Sequence, residues 1–178
     1  MRLDESKCRY QTLSLFGDEP IAETASNKTP TPAPVPSTHR AEIYFDGGCK
    51  GNRVGQGQKY GSFEVLLDGQ KILSRQRVEL GLGSNNEAEF DSLKMALDEM
   101  VAWLRSKGLD LKTVSLMIET DSTIVRNRLM VKNKIFPRDP RSSVMFKMAE
   151  DCLQVLRQFA EYNVVWKGRQ NNVERFGH

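Results

Sequence analysis

No run of about eighteen apolar residues occurs in this chain, so no helical membrane span is expected. The N-terminus lacks the apolar stretch of a secretory signal. Its acids Asp4, Glu5, Asp18, Glu19 and Glu23 also argue against an organelle transit peptide. Cysteine is scarce: Cys8, Cys49 and Cys152 are odd in number and unpatterned. They suggest neither a disulfide framework nor a zinc site, and they fit a reducing, cytoplasmic setting. An excess of one charge is missing too. With 26 basic against 23 acidic residues the net charge is +3, too mild to argue for nucleic-acid binding. There is no internal repeat. The 178 residues leave room for one domain with a real core, plus a tail.

Four prolines among small polar residues in 24–39 read as an extended, disordered linker. The tail is therefore taken as residues 1–39 and the domain as 40–178. Within the domain, 41–46 alternates as a strand. Segments 59–67 and 71–80 form a predicted hairpin across Asp68-Gly69. Ser84 reads as a helix N-cap, with Glu87 completing a capping box. Phe90, Leu93, Leu97, Met100 or Val101, and Leu104 then recur at helical spacing as one buried stripe, and Gly108 ends the helix. Val114–Thr120 is a predicted strand, Ser122–Met130 a short helix, Ser142–Ala160 a longer one and Asn163–Lys167 the last strand. The expected fold class is α/β in the broad sense: a five-stranded mixed sheet flanked by helices, β-β-β-α-β-α-β-α.

Against this frame three acids stand out. Asp46 closes the first strand in AEIYFDGGCKGN (41–52), Glu89 lies in the first turns of the long helix in SNNEAEF (84–90), and Asp121 ends a later strand in IETDS (118–122). Carboxylates that meet in space repel unless a cation lies between them, and hard divalent cations take oxygen ligands. One acid at a strand end is unremarkable; three inside longer polar patterns are not. The segment 126–147 adds Arg126, Arg128, Lys132, Lys134, Arg138, Arg141 and Lys147, opposed only by Asp139. It reads either as a solvated loop or as a patch that tracks phosphates.

Taken together these segments resemble a type I ribonuclease H over about residues 40–178. The matching residues are Asp46, Gly47, Gly48, Cys49, Gly51 and Asn52, then Ser84, Asn85, Asn86 and Glu89, then Thr120, Asp121 and Ser122. The resemblance implies a ribonuclease H-like fold and a metal-dependent endonuclease acting on the RNA strand of RNA–DNA hybrids. It implies two Mg²⁺ or Mn²⁺ ions held by Asp46, Glu89 and Asp121, and 5′-phosphate and 3′-hydroxyl products. Substrate contacts would come from Gly47, Gly48, Cys49, Asn52, Ser84, Asn85, Asn86, Ser122, Thr123 and Arg169, some of them reading the ribose 2′-hydroxyl. The expected enzyme is a cytoplasmic monomer.

The C-terminal VVWKGRQNNVERFGH (164–178) departs from the family pattern. Arg169 falls where many members carry a mobile histidine. His178 falls near the fourth metal-binding acid, with Glu174, one turn earlier, as its rival. A histidine there brings no negative charge and favours softer ions than Mg²⁺. At the other end, residues 11–16 resemble a bacterial sliding-clamp-binding peptide, with Gln11 to orient and Leu13, Leu15 and Phe16 as apolar anchors. Two other readings stand beside the nuclease: a DNA-acting relative of the same fold, and a non-catalytic or weakly catalytic hybrid-binding module tethered to the clamp.

Overall fold

A computed structural model describes residues 37–51, 56–130 and 140–177, all within one compact unit, Ala33–His178. The clamp-like residues Gln11, Leu13, Leu15 and Phe16, most of the Pro-rich segment, Asn52, Lys132, Lys134, Arg138 and His178 lie outside the described residues.

Three strands open the fold: β1 (His39–Lys50), β2 (Gly57–Leu67) and β3 (Gln70–Gly83). The predicted Asp68-Gly69 turn joins the last two. Both residues have positive φ, 50° and 78°, as a two-residue turn matching strand twist requires. Next come α1 (Asn85–Ser106), a 3₁₀ turn (Leu111–Thr113), β4 (Val114–Thr120), α2 (Thr123–Met130), α3 (Pro140–Leu156), β5 (Glu161–Trp166) and α4 (Gln170–Phe176). The strands form one sheet in the order β3-β2-β1-β4-β5. The β1–β2 and β2–β3 pairs are antiparallel, whereas β4 is parallel to both β1 and β5.

Alternation in β1 buries Ala41, Ile43 and Phe45 on the face covered by α1. The α1 stripe of Phe90, Leu93, Leu97, Met100, Val101 and Leu104 is buried as its spacing predicts. Phe63, Val65, Ile118 and Val164 extend this core across the sheet, and Ala149, Cys152, Leu153 and Leu156 of α3 close it. Ser84 caps α1 with the full capping box. Among the described residues no helix is long and apolar enough to cross a membrane.

Several boundaries differ from the sequence pattern. Asp46 does not close β1, which stays paired with β2 as far as Lys50. Helix α3 stops at Leu156 rather than Ala160, because residues 157–159 tighten into a last irregular turn. Ala160 then turns its amide to the carbonyls of Leu111 and Val114 at 3.2 and 3.1 Å. That switch frees Glu161 to start β5 two residues earlier than its apolar residues suggest. At the other end β1 begins at His39, and the Thr38 amide donates to the Thr113 carbonyl at 2.8 Å.

Candidate metal centre

The parallel pairing of β1 and β4 decides where the first and third acids meet. Tyr44 pairs with Glu119, so Asp46 and Asp121 each lie two residues further along, past the last paired step on adjacent strands. Glu89 arrives from α1, which comes close enough only because β1 has no side chain at Gly47. A Cβ there would collide with the backbone of Ala88 and Glu89. Gly47 is paired across the ladder with Gly61, where a Cβ would strike Ser92 of the same helix. The two glycines form a saddle for the first turns of α1. The signal for Gly61, a glycine inside a strand, was present in the sequence but unread.

Asp46, Glu89 and Asp121 each present a carboxylate oxygen, and these atoms all lie within 4.8 Å of one another. Glu89 Oε2 and Asp121 Oδ1 are buried without a hydrogen-bond partner in the protein. Such atoms are costly unless something satisfies them. Burial, reinforced by the charges of Asp46 and Asp121, pushes the Glu89 carboxyl up to about 9, and the Arg169 guanidinium pulls it back down. Hard oxygen donors crowded together, two of them with orphaned atoms, fit a divalent cation of the Mg²⁺ or Mn²⁺ kind.

Backbone ties fix the surroundings. Trp166 Nε1 donates to the Asp121 carbonyl at 3.0 Å, and the Lys167 amide to the Thr120 carbonyl at 2.9 Å, so the end of β5 braces that of β4. The Ser122 amide donates to Thr120 Oγ1, and Ser122 Oγ accepts from the Val125 amide at the start of α2, where Thr123 is exposed. On the other flank Cys49 Sγ donates to the Gly83 carbonyl at 3.1 Å, tying β1 to the residue before the α1 cap. Gly48 lies against the Tyr60 ring. Ser84 Oγ donates to Glu87 Oε2 at 2.7 Å, and Asn85 and Asn86 begin α1.

Beneath the acids runs a second row on the same sheet face, Glu64, Tyr44 and Glu119 on β2, β1 and β4. It lines a cleft of about 630 Å³ with Lys71, Lys167, Glu174 and Arg175. Burial, then the hydrogen bond to Glu42, pushes the Tyr44 phenol up to about 12, so the ring stays neutral. Glu174 faces this cleft, whereas the acids gathered at metal-binding distance among the described residues are Asp46, Glu89 and Asp121. Arg126 and Lys147 are exposed on α2 and α3. Sequence reasoning passed over Trp166, Tyr44 and Arg175, whose polar partners lie 45, 2 and 111 residues away along the chain.

The mixed sheet, its strand order and its flanking helices are the ribonuclease H fold, with three carboxylates from β1, α1 and the end of β4 gathered together. Solved structures that match it include three of two proteins. The RNase H1 of the halophilic archaeon Halobacterium salinarum NRC-1 has a TM-score of 0.57 at 24% identity, over 78% of this chain and 92% of that one. LC11-RNase H1, isolated from compost by a metagenomic approach, gives 0.58 at 21% identity, over 76% and 89%. The same protein in complex with an RNA/DNA hybrid gives 0.55 at 19%, over 75% and 89%. No protein-family model and no curated protein matches the sequence.

The glycine saddle carries its own test. Gly47→Ala should drive α1 off β1, with a stability loss toward the upper end of the roughly 1–3 kcal/mol usual for overpacking. Thermal unfolding measures it. A melting temperature equal to the parent's would mean that the helix yields at no cost and that the glycine does not set its height.

Proposed function

We propose that the protein is an endonuclease that hydrolyses the RNA strand of RNA–DNA hybrids, leaving 5′-phosphate and 3′-hydroxyl ends. The observation that carries this reading is the carboxylate cluster, with its orphaned oxygens on Glu89 and Asp121, in a ribonuclease H fold. That one structural neighbour holds an RNA/DNA hybrid supports the choice of substrate. Asp46, Glu89 and Asp121 would hold two divalent cations, which when bound activate a water and stabilise the leaving oxygen. The chain's own part is to hold the carboxylates rigidly against mutual repulsion. It also lines the approach with Cys49, Ser84, Asn85 and Asn86, whose polar groups suit the ribose 2′-hydroxyl and the paired strand's phosphates. His178 is proposed as a fourth ligand, with Glu174 as the rival.

A labelled RNA–DNA hybrid, offered with Mg²⁺ or Mn²⁺ beside matched duplex DNA and duplex RNA, tests the assignment. Cleavage of the hybrid's RNA strand alone is expected. Hybrid binding without cleavage in either ion would favour the rival reading of a non-catalytic module. We also propose that residues 11–16 dock on a bacterial sliding clamp and keep the nuclease near replicating DNA. A peptide of residues 6–20 should bind such a clamp weakly, at about micromolar Kd or worse, equivalent to about −8 kcal/mol at the tightest. Leu15→Ala with Phe16→Ala should remove that binding.

A further inference from the structure

Helix α4 is two turns long, and its N-cap residue Arg169 makes no side-chain capping bond. A helix so short does not hold itself together in water, so its place is set by what it packs against. Asn172 and Phe176, one turn apart, are buried. The third anchor is charged. The Arg175 guanidinium lies 3.5 Å over the Tyr44 ring, and its Nη1 donates to Glu64 Oε1 at 2.8 Å.

Tyr44 and Glu64 are directly paired across β1 and β2, so the two halves of this receptor are joined by the sheet ladder. The Tyr44 hydroxyl donates to Glu42 at 2.6 Å, and the buried Glu64 carboxylate also meets Lys71 at 2.9 Å. Arginine suits the position as lysine does not, because one planar group stacks on a ring while donating in its own plane. At the opposite end of α4, the Arg169 carbonyl accepts the amides of Asn172 and Val173, each at 3.1 Å. Two residues before Arg169, the Lys167 amide donates to the Thr120 carbonyl at 2.9 Å, so the start of α4 lies close to Asp121 and the carboxylate cluster. The same helix therefore joins a locked anchor at Arg175 to a cation beside the carboxylate cluster.

We propose that Arg175 is a positioning residue: gripped by Tyr44 and Glu64, it fixes α4 so that Arg169 stands beside the carboxylates and meets a phosphate of the nucleic acid. The inference rests on the hybrid-binding reading above. Arg175 itself touches no substrate; its effect passes through Arg169.

The test uses the full chain in metal-free buffer, where hybrid binding is read by fluorescence anisotropy across a salt series. Arg169→Gln should weaken binding several-fold and lower the slope of log K against log salt by somewhat under about one unit. Arg175→Met should do nearly the same, Arg175→Lys should recover only part of the loss, and the Arg169→Gln, Arg175→Met double variant should be no worse than either alone. Amide hydrogen exchange in α4 should quicken by about tenfold or more in Arg175→Met and stay near the parent rate in Arg169→Gln. If Arg175→Met does not fold, Tyr44→Leu removes the receptor from the strand side and should show the same non-additivity with Arg169→Gln. Additive losses in the double variant, or unchanged exchange, would overturn the proposal. A parent protein that binds no hybrid overturns the functional reading and with it the role given to Arg169; the exchange rates still report whether the anchor holds α4.

Discussion

Asp46→Asn should abolish cleavage of the hybrid while leaving the protein folded and able to bind it. Asp46 lies within β1, two residues past its last pairing with β4, and has an oxygen within 4.8 Å of those from both Glu89 and Asp121. In the proposed arrangement Asp46 would be one of the carboxylates that hold the cations, so losing its charge would weaken the whole cluster's grip on them. The side chain keeps its shape, and the sheet pairing of residue 46 with Ser62 is a backbone matter. We expect a fall in rate of at least about a thousandfold, close to 4 kcal/mol of barrier. Single-turnover cleavage in Mg²⁺ and anisotropy on the same preparation measure the two halves of the claim. Cleavage within about tenfold of the parent would remove the two-cation assignment.

Glu89→Gln should make the metal-free protein more stable at alkaline pH and remove most of this residue's contribution to its pH dependence. The folded Glu89 carboxyl titrates at about 9 against an ordinary value of 4.5, burial being the main cause. Between those values the folded chain keeps a proton that the unfolded chain has released. Stability from this group is therefore fully present below about 4.5 and is lost as pH rises through about 9. The slope approaches at most about 1.4 kcal/mol per pH unit for one proton. Divalent cations should oppose the trend, because in the proposed site they would bind the ionised carboxylates gathered in the folded state. Melting temperatures from pH 5 to about pH 9, with chelator and with Mn²⁺, check both statements. The parent should gain most from Mn²⁺ at high pH, and Glu89→Gln should gain little at any pH. Parallel curves for the two proteins in chelator would mean that Glu89 is ionised throughout and that burial does not control it.

Much of the fold was legible because local signals agreed with one another. The Asp68-Gly69 turn, the Ser84–Glu87 capping box and the stripe from Phe90 to Leu104 each depend on residues a few positions apart. The three carboxylates could be picked out because each sits in a longer polar segment, although Asp46 proves to lie inside β1 rather than at its end. Less legible were features that depend on distant partners. The end of α3 is set by a bond from Ala160 to a turn about fifty residues earlier, and no property of 157–160 announces it. Arg175 reads as a solvated helix residue until α4 is laid on the sheet and Glu64 and Tyr44 come under it. Gly61 announced itself as a strand glycine, but its reason, the hydroxyl of Ser92, belongs to another element.

The saddle of Gly47 and Gly61 also bears on how such a protein tolerates change. Where helix and strand touch through main-chain atoms, their separation is set by atomic radii that no substitution elsewhere alters. Side chains deeper in the core, such as Leu97 or Met100, can be exchanged for others of similar volume at a modest loss in stability. Those exchanges act on the far turns of α1, while the turn bearing Glu89 stays seated on bare backbone. The distance between Glu89 and the strand acids is thereby insulated from drift in the hydrophobic interior, so stability and carboxylate geometry can evolve as nearly separate traits.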